Sequence, residues 1–348
     1  MNDKDQHSPE LIRQILDLHQ LVAEQFHHQF MTSIEAEPVR KYWCESRGFS
    51  LKCAEAFKIG YAPASKNFLK LLCKDHDISP LVMNHSGLFY SSKGDSNCAN
   101  LYTRFRGRLM IPIQDIPDRV IAFSARHLEQ TPEDDLTRKA KYINSPSTPI
   151  FDKGKILFGL NHAISNMQDG DGYILVEGQL DAIRCWSLGL NTAIAVQGTS
   201  LTQDQLSLIK HSKPNYVECL LDGDKAGQKA AARYAALSIK TGLNFCFFQL
   251  PEKSDPDEFL RLHGKEGYDT ERKNNQGAVY TLITSELPDR YNLTTCQKVR
   301  ALESLFQVLK DSDSNVITET HIKTAARILN VSNSAAMEDF KGFKSERD

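Results

Sequence analysis

The sequence lacks the short motifs by which several common sites are recognised. It contains no Gly-x-x-x-x-Gly-Lys-Ser/Thr loop and no His-Glu-x-x-His, so neither a Walker-type nucleotide site nor a zincin site is indicated. None of its eight cysteines forms a Cys-x-x-Cys pair, which argues against a zinc ribbon in this polypeptide, and a disulfide framework is not expected. We therefore expect no zinc, and thiols that pack as small apolar side chains in a reducing compartment.

Long apolar runs and an excess of positive charge are missing as well. The first residues form no apolar signal core and no run approaches membrane-spanning length, so we expect a cytoplasmic protein without a membrane partner. The formal net charge is -2, so any affinity for nucleic acid has to come from a local basic surface. With 348 residues, the chain is long enough for two or three compact units.

The sequence does contain a set of acidic residues at the ends of predicted strands. Apolar runs at 173–176, 216–221 and 244–250 are typical of strands buried on both faces of a parallel sheet, with helices between them. Ligands of such open sheets bind at the carboxyl ends of the strands, so the acids that follow the three runs should converge on one crevice. These acids are Glu177, Asp181, Asp222, Asp224, Asp255 and Asp257.

A convergence of carboxylates needs a physical reason. Carboxylates a few ångströms apart repel and raise one another's pKa unless a cation neutralises them. Oxygen ligands without histidine or cysteine favour a hard ion, which predicts Mg²⁺ or Mn²⁺ as the cofactor. Mg²⁺ commonly joins one or two carboxylates to substrate phosphates, so the pattern indicates phosphoryl or nucleotidyl transfer.

Each acidic segment also has a simpler interpretation when it is taken alone. Asp181 could complement the dipole of the helix that it begins, the Asp-Gly-Asp segment could be a turn, and the Asp-Pro-Asp segment could be a helix entry. The run from Asp222 to Gly227 also resembles a calcium loop, but Ala226 occupies a ligand position there. All three segments occur in one order with strand–helix spacing between them, which favours the metal site.

Basic residues form the second pattern. Arg104, Arg106 and Arg108 alternate ahead of a predicted strand at 109–113, and alternation would place their guanidinium groups on one face. Such a row could bind phosphates, or it could be a solvated sheet face. Residues 138–155 mix basic side chains with a tyrosine, as in a loop that binds phosphates and stacks on a base, but an ordinary basic loop would have the same composition.

Two resemblances narrow the interpretation. The three acidic segments together resemble the Toprim domain, which bacterial primases, type IA and II topoisomerases and some nucleases share. The Arg-Phe-Arg-x-Arg segment, Lys-Tyr-Ile-Asn-Ser-Pro from Lys141, Phe-Asp-Lys-Gly from Phe151 and Gly-Thr-Ser from Gly198 resemble the RNA-polymerase core of bacterial DnaG-type primases. This resemblance extends from about residue 15 to about residue 340.

The resemblance implies an α/β fold with three parts. A Toprim, Rossmann-like parallel sheet at 169–268 would be flanked by a basic N-terminal α+β subdomain at 1–168 and a C-terminal helical subdomain at 269–348. It also implies a DNA primase, which is a DNA-directed RNA polymerase that makes short RNA primers on single-stranded DNA from nucleoside triphosphates.

The resemblance assigns roles to individual residues as well. Glu177, Asp181, Asp222 and Asp224 would be catalytic, with Glu177 as the general base or the organiser of a metal-bound water. All six acids would be metal ligands. Nucleotide phosphates and the template backbone would be bound by Arg47, Arg104, Arg106, Arg126, Lys141, Tyr142 and Lys153.

The sequence departs from the family in its extent. Family members usually carry an N-terminal zinc ribbon and a C-terminal helicase-binding domain, and we expect neither in this chain. A separate zinc-domain protein or the replicative helicase would then be a partner, and a role in a mobile element or in defence stays open. Two further classes stay open: a Toprim nuclease, which would degrade DNA with metal but without nucleotides, and a non-catalytic nucleic-acid-binding subunit, which would bind without turnover.

Overall fold

The protein is described by a computed structural model that covers residues 8–91, 101–198, 200–251, 253–285, 287, 292–312 and 314–345. The chain separates into two compact units, 1–162 and 163–348. Thr199 and, apart from Ser91, the polar loop that the sequence predicts at 91–100 lie outside the described residues. The predicted division into three domains, with boundaries after residues 168 and 268, stays a prediction.

The first unit is built on an antiparallel sheet. Its strands are β1 (Gly60–Ala62), β2 (Phe89–Ser91), β3 (Leu101–Thr103), β4 (Arg108–Gln114), β5 (Val120–His127) and β6 (Tyr142–Asn144). Four of them form one sheet in the order β1-β4-β5-β6, with every neighbouring pair antiparallel. β2 and β3 pair separately as a two-stranded antiparallel ribbon.

Helices cover this sheet and connect its strands. They are α1 (Pro9–Thr32), α2 (Glu37–Lys41), α3 (Leu51–Ala56), α4 (Phe68–Asp75) and α5 (Pro80–His85), while α6 (Leu160–Asn166) contains the point at which the two units divide. Ser8 is the N-cap of α1, and its hydroxyl accepts a hydrogen bond from the Leu11 N–H at 3.2 Å. Its apolar face, which includes Ile15, Val22 and Phe26, is buried in the core of the unit.

The predicted row of arginines on one strand face is wrong. Arg104 and Arg106 lie in the bend between β3 and β4, and only Arg108 belongs to a strand. Gly107 makes this bend with a φ of 56°, and a Cβ on it would lie 2.2 Å from the carbonyl oxygen of Gln130. Because the backbone turns at this glycine, the period-two alternation of a strand does not apply.

Arg108 is enclosed by the loop that follows β5. Its side chain is fully buried, and the guanidinium group donates to the Thr137 carbonyl at 2.9 Å and lies 3.6 Å from the Asp135 carboxylate. Burial lowers its pKa, and Asp135 opposes that decrease. This arginine therefore organises its own unit instead of facing a phosphate.

The second unit contains the predicted parallel sheet. Its strands are β7 (Tyr173–Val176), β8 (Ala193–Ala195), β9 (Val217–Cys219), β10 (Phe245–Phe247) and β11 (Gln276–Gly277). They lie in the order β11-β10-β9-β7-β8, and all neighbouring pairs are parallel except β10 with β11. β7, β9 and β10 occupy the three predicted apolar runs, and the predicted α/β fold class is confirmed.

Helices alternate with these strands and then end the chain. They are α7 (Gln179–Ser187), α8 (Gln203–His211), α9 (Lys225–Thr241), α10 (Pro256–Glu271), α11 (Ala278–Thr284), α12 (Thr295–Leu309), α13 (Asn315–Leu329) and α14 (Asn333–Ser345). α7 packs against α10, and α9 packs against α11 and α12. No helix in the described parts of the chain has the length and apolar character that crossing a bilayer requires.

A buried histidine in the first unit predicts acid sensitivity. The His19 ring is fully buried, donates from Nε2 to the Ser86 carbonyl at 2.7 Å, and has no partner for Nδ1 among the described residues. Burial lowers its pKa from 6.5 to about 4, so the unfolded chain binds the proton more readily. This contribution to stability is complete above pH ~6.5 and is lost as the pH falls toward ~4, in total about 3 kcal/mol.

We expect His19→Gln, which keeps a donor for Ser86 but cannot titrate, to reduce this loss. The measurement is the free energy of unfolding in urea across that pH range, with the exposed His76→Gln as the matched control. Equal pH profiles for wild type and His19→Gln would contradict the prediction.

Candidate functional site

The carboxyl edge of the parallel sheet has a topological switch point between β7 and β9. From β7 the chain continues to β8 on one side, and from β9 it continues to β10 on the other side. Open sheets of this kind bind ligands in the crevice at such a point. Glu177 follows β7 and Asp222 follows β9, and the Asp222 N–H donates to Glu177 Oε1 at 3.4 Å. The first and second acidic segments therefore meet, as the sequence predicts.

Backbone packing fixes the second and third segments together. The Gly223 N–H donates to the Ser254 carbonyl at 2.9 Å, and the Lys253 N–H donates back to the Gly223 carbonyl at 3.3 Å. A Cβ on Gly227 would lie 2.0 Å from the Asp222 carbonyl oxygen, so only glycine allows the first turn of α9 to approach this closely. The loop before Asp255 is thus held against the Asp-Gly-Asp loop by its own main chain.

Two of the predicted ligands also cap helices. Asp224 is the N-cap of α9, and its Oδ1 accepts hydrogen bonds from the Ala226 N–H at 2.8 Å and the Gly227 N–H at 2.9 Å. Asp255 is the N-cap of α10 and accepts from the Glu258 N–H at 2.7 Å. The interpretation of Asp255 as a helix entry is therefore correct, whereas Asp224 caps a helix and is not simply part of a turn. Both side chains are exposed to solvent.

Asp257 occupies a different environment from the other acids. Its side chain is buried, and Oδ1 accepts a hydrogen bond from Arg184 Nε at 2.7 Å. Arg184 is itself buried, so this ion pair joins α7 to α10. The position gives Asp257 a structural role, and its use as a metal ligand stays a prediction.

The surroundings of Asp181 change its pKa strongly. Burial and, after it, the negative charges of Asp222, Asp255 and Asp257 together raise its pKa from 3.8 to about 8. The Gly178 N–H opposes this increase by donating to Asp181 Oδ2 at 3.0 Å. Acids from all three segments therefore lie within electrostatic reach of one carboxylate.

Glu177, in the same segment after β7, shows the same effect. Burial raises its pKa, and the negative charge of Asp224 adds to the increase. The Asp222 N–H and the Arg233 cation act in the opposite direction. A carboxylate with a raised pKa is a stronger base than an ordinary glutamate, and such groups are often found at functional crevices.

These acids fit a hard cation that is shared with a ligand. Among the residues that the structure describes, no three acidic, histidine or cysteine side chains form a ready-made metal-binding group. Mg²⁺, however, usually takes only one or two protein carboxylates and completes its shell with water and substrate phosphates. The oxygen-only donor set and the raised pKa values of Asp181 and Glu177 match the charge of such an ion.

In the first unit, three predicted basic-site residues lie together. Arg126 on β5 is in register with Tyr142 on β6, and its guanidinium group donates to the Tyr142 hydroxyl. The guanidinium carbon lies 5.1 Å from the centroid of the Tyr142 ring and 5.2 Å from that of the Tyr42 ring. Lys141 is exposed beside Tyr142. The Tyr42 and Tyr142 rings therefore hold the Arg126 guanidinium group in place.

The other predicted phosphate-binding residues have surroundings that favour phosphate binding less. The Arg104 guanidinium group donates to the Gly87 carbonyl at 2.9 Å, and burial lowers its pKa. Arg106 donates to a backbone carbonyl at 3.1 Å and to the Asp134 carboxylate at 3.0 Å. Arg47 follows a π-helical turn, and Lys153 begins a short 3-10 turn where burial lowers its pKa. Their roles stay predictions.

Sequence reasoning missed two residues that organise these sites. Tyr42 lies in the π-helical turn Tyr42–Ser46, and no local pattern connects it to Arg126, which is far away in sequence. Arg184 follows Asp181 by three positions, among residues that are buried on α7. A charged residue in an apolar helix face is a weak signal of a buried ion pair, and it does not identify the partner.

Both units match models of known protein families. Residues 26–164 match the model of the DNA primase catalytic core, N-terminal domain, and residues 174–260 match the Toprim-like model. A solved structure of the DnaG primase catalytic domain bound to ssDNA has 27% sequence identity and a TM-score of 0.78, and the match covers 94% of this chain and 100% of that one.

Curated DNA primases also match most of this chain. The DNA primase of Enterococcus faecalis is 29% identical over 339 residues, which cover 96% of this chain and 52% of the relative. The DNA primase of Halalkalibacterium halodurans is 33% identical over 269 residues, which cover 77% of this chain and 42% of the relative. The chain thus spans about half the length of the curated relatives that it matches.

A Toprim domain preceded by this N-terminal domain defines the catalytic core of a primase. The chain belongs to the DnaG-type primase family, and the resemblance found in the sequence is confirmed.

The buried ion pair of the second unit gives a stability prediction. Arg184→Met removes the counter-charge of a carboxylate that is only 4% exposed, so we expect the free energy of unfolding to fall by about 3–5 kcal/mol. The double variant Arg184→Met/Asp257→Leu removes both charges and should regain most of that loss. Urea unfolding measures both, and a double variant no more stable than the single one would contradict the prediction.

Proposed function

We propose that this chain is a polymerising core that makes short RNA primers on single-stranded DNA by metal-dependent nucleotidyl transfer. The observation that carries the proposal is the meeting of Glu177 and Asp222 at the switch point, with Asp181 close to the other acids. Carboxylates arranged in this way are suited to bind a divalent ion together with a nucleotide's phosphates. Family membership supports the same reaction.

Metal binding would use the acids at the carboxyl edge. Toprim primase cores are metal-dependent in general, and we propose Mg²⁺ or Mn²⁺ held by Asp222 and Asp224, with Asp181 and Asp255 nearby. Such an ion supplies Lewis-acid stabilisation of charge on the phosphoryl oxygens. The six acids of the prediction are not equivalent, because Asp257 already has Arg184 as its counter-charge.

Glu177 is the proposed proton acceptor. Its raised pKa makes it a stronger base than an ordinary glutamate, as a group that takes a proton from a primer hydroxyl needs to be. The hydrogen bond from the Asp222 N–H fixes one carboxylate oxygen, which orients the other. Glu177 would alternatively organise a water on the metal, which is the second role that the resemblance to Toprim enzymes implies.

Arg126, Lys141 and Tyr142 are the proposed phosphate and template contacts of the first unit. The two tyrosine rings hold the Arg126 guanidinium group in one place, so little side-chain entropy remains to be lost when a phosphate binds. Single-stranded DNA and nucleoside triphosphates are the proposed substrates. The replicative helicase or a separate zinc-domain protein is the proposed partner for recruitment.

The test is primer synthesis by an Asp222 variant. We expect Asp222→Asn to lower the rate of labelled-nucleotide incorporation on mixed-sequence single-stranded DNA by roughly a hundredfold or more, because a metal ligand supplies several kcal/mol to the transition state. Asp269→Asn makes the same charge change at an exposed acid late in α10, which lies near Gly172 and Thr192 at the opposite edge of the sheet, and this variant should be fully active. Chelation of divalent ions should abolish synthesis in both.

Retained synthesis by Asp222→Asn would refute the assignment of the acidic edge. Metal-dependent degradation of the DNA without nucleotides would instead favour a Toprim nuclease. DNA binding by the wild type without any product would favour the non-catalytic subunit.

A further inference from the structure

The exposed face of α9 carries a row of three cations. Lys225, Lys229 and Arg233 follow one another at four-residue intervals, so they lie on the same side of the helix. All three are exposed, and none forms an ion pair or a hydrogen bond among the residues that the structure describes. We call these residues the α9 basic row.

The α9 basic row lines a groove instead of a flat surface. The groove has a volume of about 690 Å³, and its other lining residues include Ala226, Ala232 and Ser285 at the end of α11. Small side chains between the cations leave room for a ligand to lie along the helix. Like charges one turn apart repel each other, so the row weakens the isolated helix and suits a surface that meets an anion.

The row begins at the acidic edge. Asp224, the N-cap of α9, is the residue immediately before Lys225. At the other end, Arg233 is close enough to influence the carboxylate of Glu177. An anion in the groove would therefore lie next to the proposed reaction centre.

The length of the row matches a polymer better than a compact anion. Eight residues of helix separate the first and last cation, which is about 12 Å along the axis. A nucleic-acid strand in a duplex carries one phosphate for about every 3.4 Å of axis, so three or four consecutive phosphates would face the row. A triphosphate held on a metal ion at the acidic edge is more compact than the row and would not extend along all of it.

We propose that the α9 basic row binds the phosphodiester backbone of a single nucleic-acid strand and guides it along α9 to the acidic edge. This inference rests on the proposed function, because the strand would be the one on which that edge acts. The groove recognises phosphate, without selecting a base sequence.

The experiment measures binding, separately from synthesis. Lys225→Gln/Lys229→Gln/Arg233→Gln removes the three charges with a residue of similar helix propensity. The matched control, Lys210→Gln/Lys240→Gln/Lys273→Gln, removes three exposed cations elsewhere in the same unit. Fluorescence anisotropy with labelled single-stranded DNA of mixed sequence, without metal or nucleotides, gives Kd as a function of salt for both variants and the wild type.

We expect the slope of log Kd against log salt to fall by about 2 in the α9 variant, since each lost contact to a single strand removes about 0.7. Between about 50 and about 200 mM salt, the wild type should then lose roughly twentyfold more affinity than the α9 variant. The control variant should keep the wild-type slope.

Several results would overturn the proposal. These are an unchanged slope in the α9 variant, an equal fall in the control variant, and no binding of single-stranded DNA by the wild type. A raised KM for nucleotides with unchanged DNA binding would assign the row to the triphosphate and would also overturn it. Failure of the proposed function is distinguishable, because it would appear as absent primer synthesis by a wild type whose DNA binding still depends on the row.

Discussion

The repulsion between carboxylates at one edge of a parallel sheet is the constraint on which this structure depends. Burial and acidic neighbours raise the pKa of Asp181 to about 8. Keeping these carboxylates charged therefore costs free energy when no cation is present. Hydrogen bonds from the main chain hold these side chains in place. A carboxylate oxygen accepts from a backbone N–H in each of Glu177, Asp181, Asp224 and Asp255. Asp257 has Arg184 as its counter-charge, while the raised pKa values of Asp181 and Glu177 indicate an excess of negative charge at the edge. A divalent ion bound there would relieve this repulsion.

Helix caps and metal ligands are compatible roles for the same side chains. A carboxylate offers two oxygens, and the capping hydrogen bonds of Asp224 use Oδ1 alone. Capping also places Asp224 and Asp255 at the positive ends of the α9 and α10 dipoles, which lowers the cost of holding negative charge there. Capping is therefore compatible with the proposed metal site, since the capping hydrogen bonds hold both acids at the crevice.

The sequence predicts the acidic edge well because strand ends are local features. Continuous apolar runs predict buried parallel strands, and topology then brings their carboxyl ends to one place, as Glu177 and Asp222 show. The arginine row failed because its prediction assumed a continuous strand. Whether Gly107 continues the strand or turns it depends on contacts with Gln130, which no local pattern contains. The Arg184–Asp257 pair and the Tyr42–Arg126 contact were missed for the same reason, since both join segments far apart in the sequence.

The charges of α9 explain how one helix can serve two opposite requirements. Its N-terminus stabilises an acid at the acidic edge, while a nucleic-acid strand on the proposed α9 basic row must not be repelled by the acids. Asp224 at the cap and the cations from Lys225 onward meet both needs, because the sign of the charge changes within one residue. Screening limits the reach of the acids to about 10 Å at ordinary salt, which is similar to the length of the α9 basic row. The cations of the α9 basic row therefore attract the phosphates of a bound strand throughout the distance within which the acids would otherwise repel them.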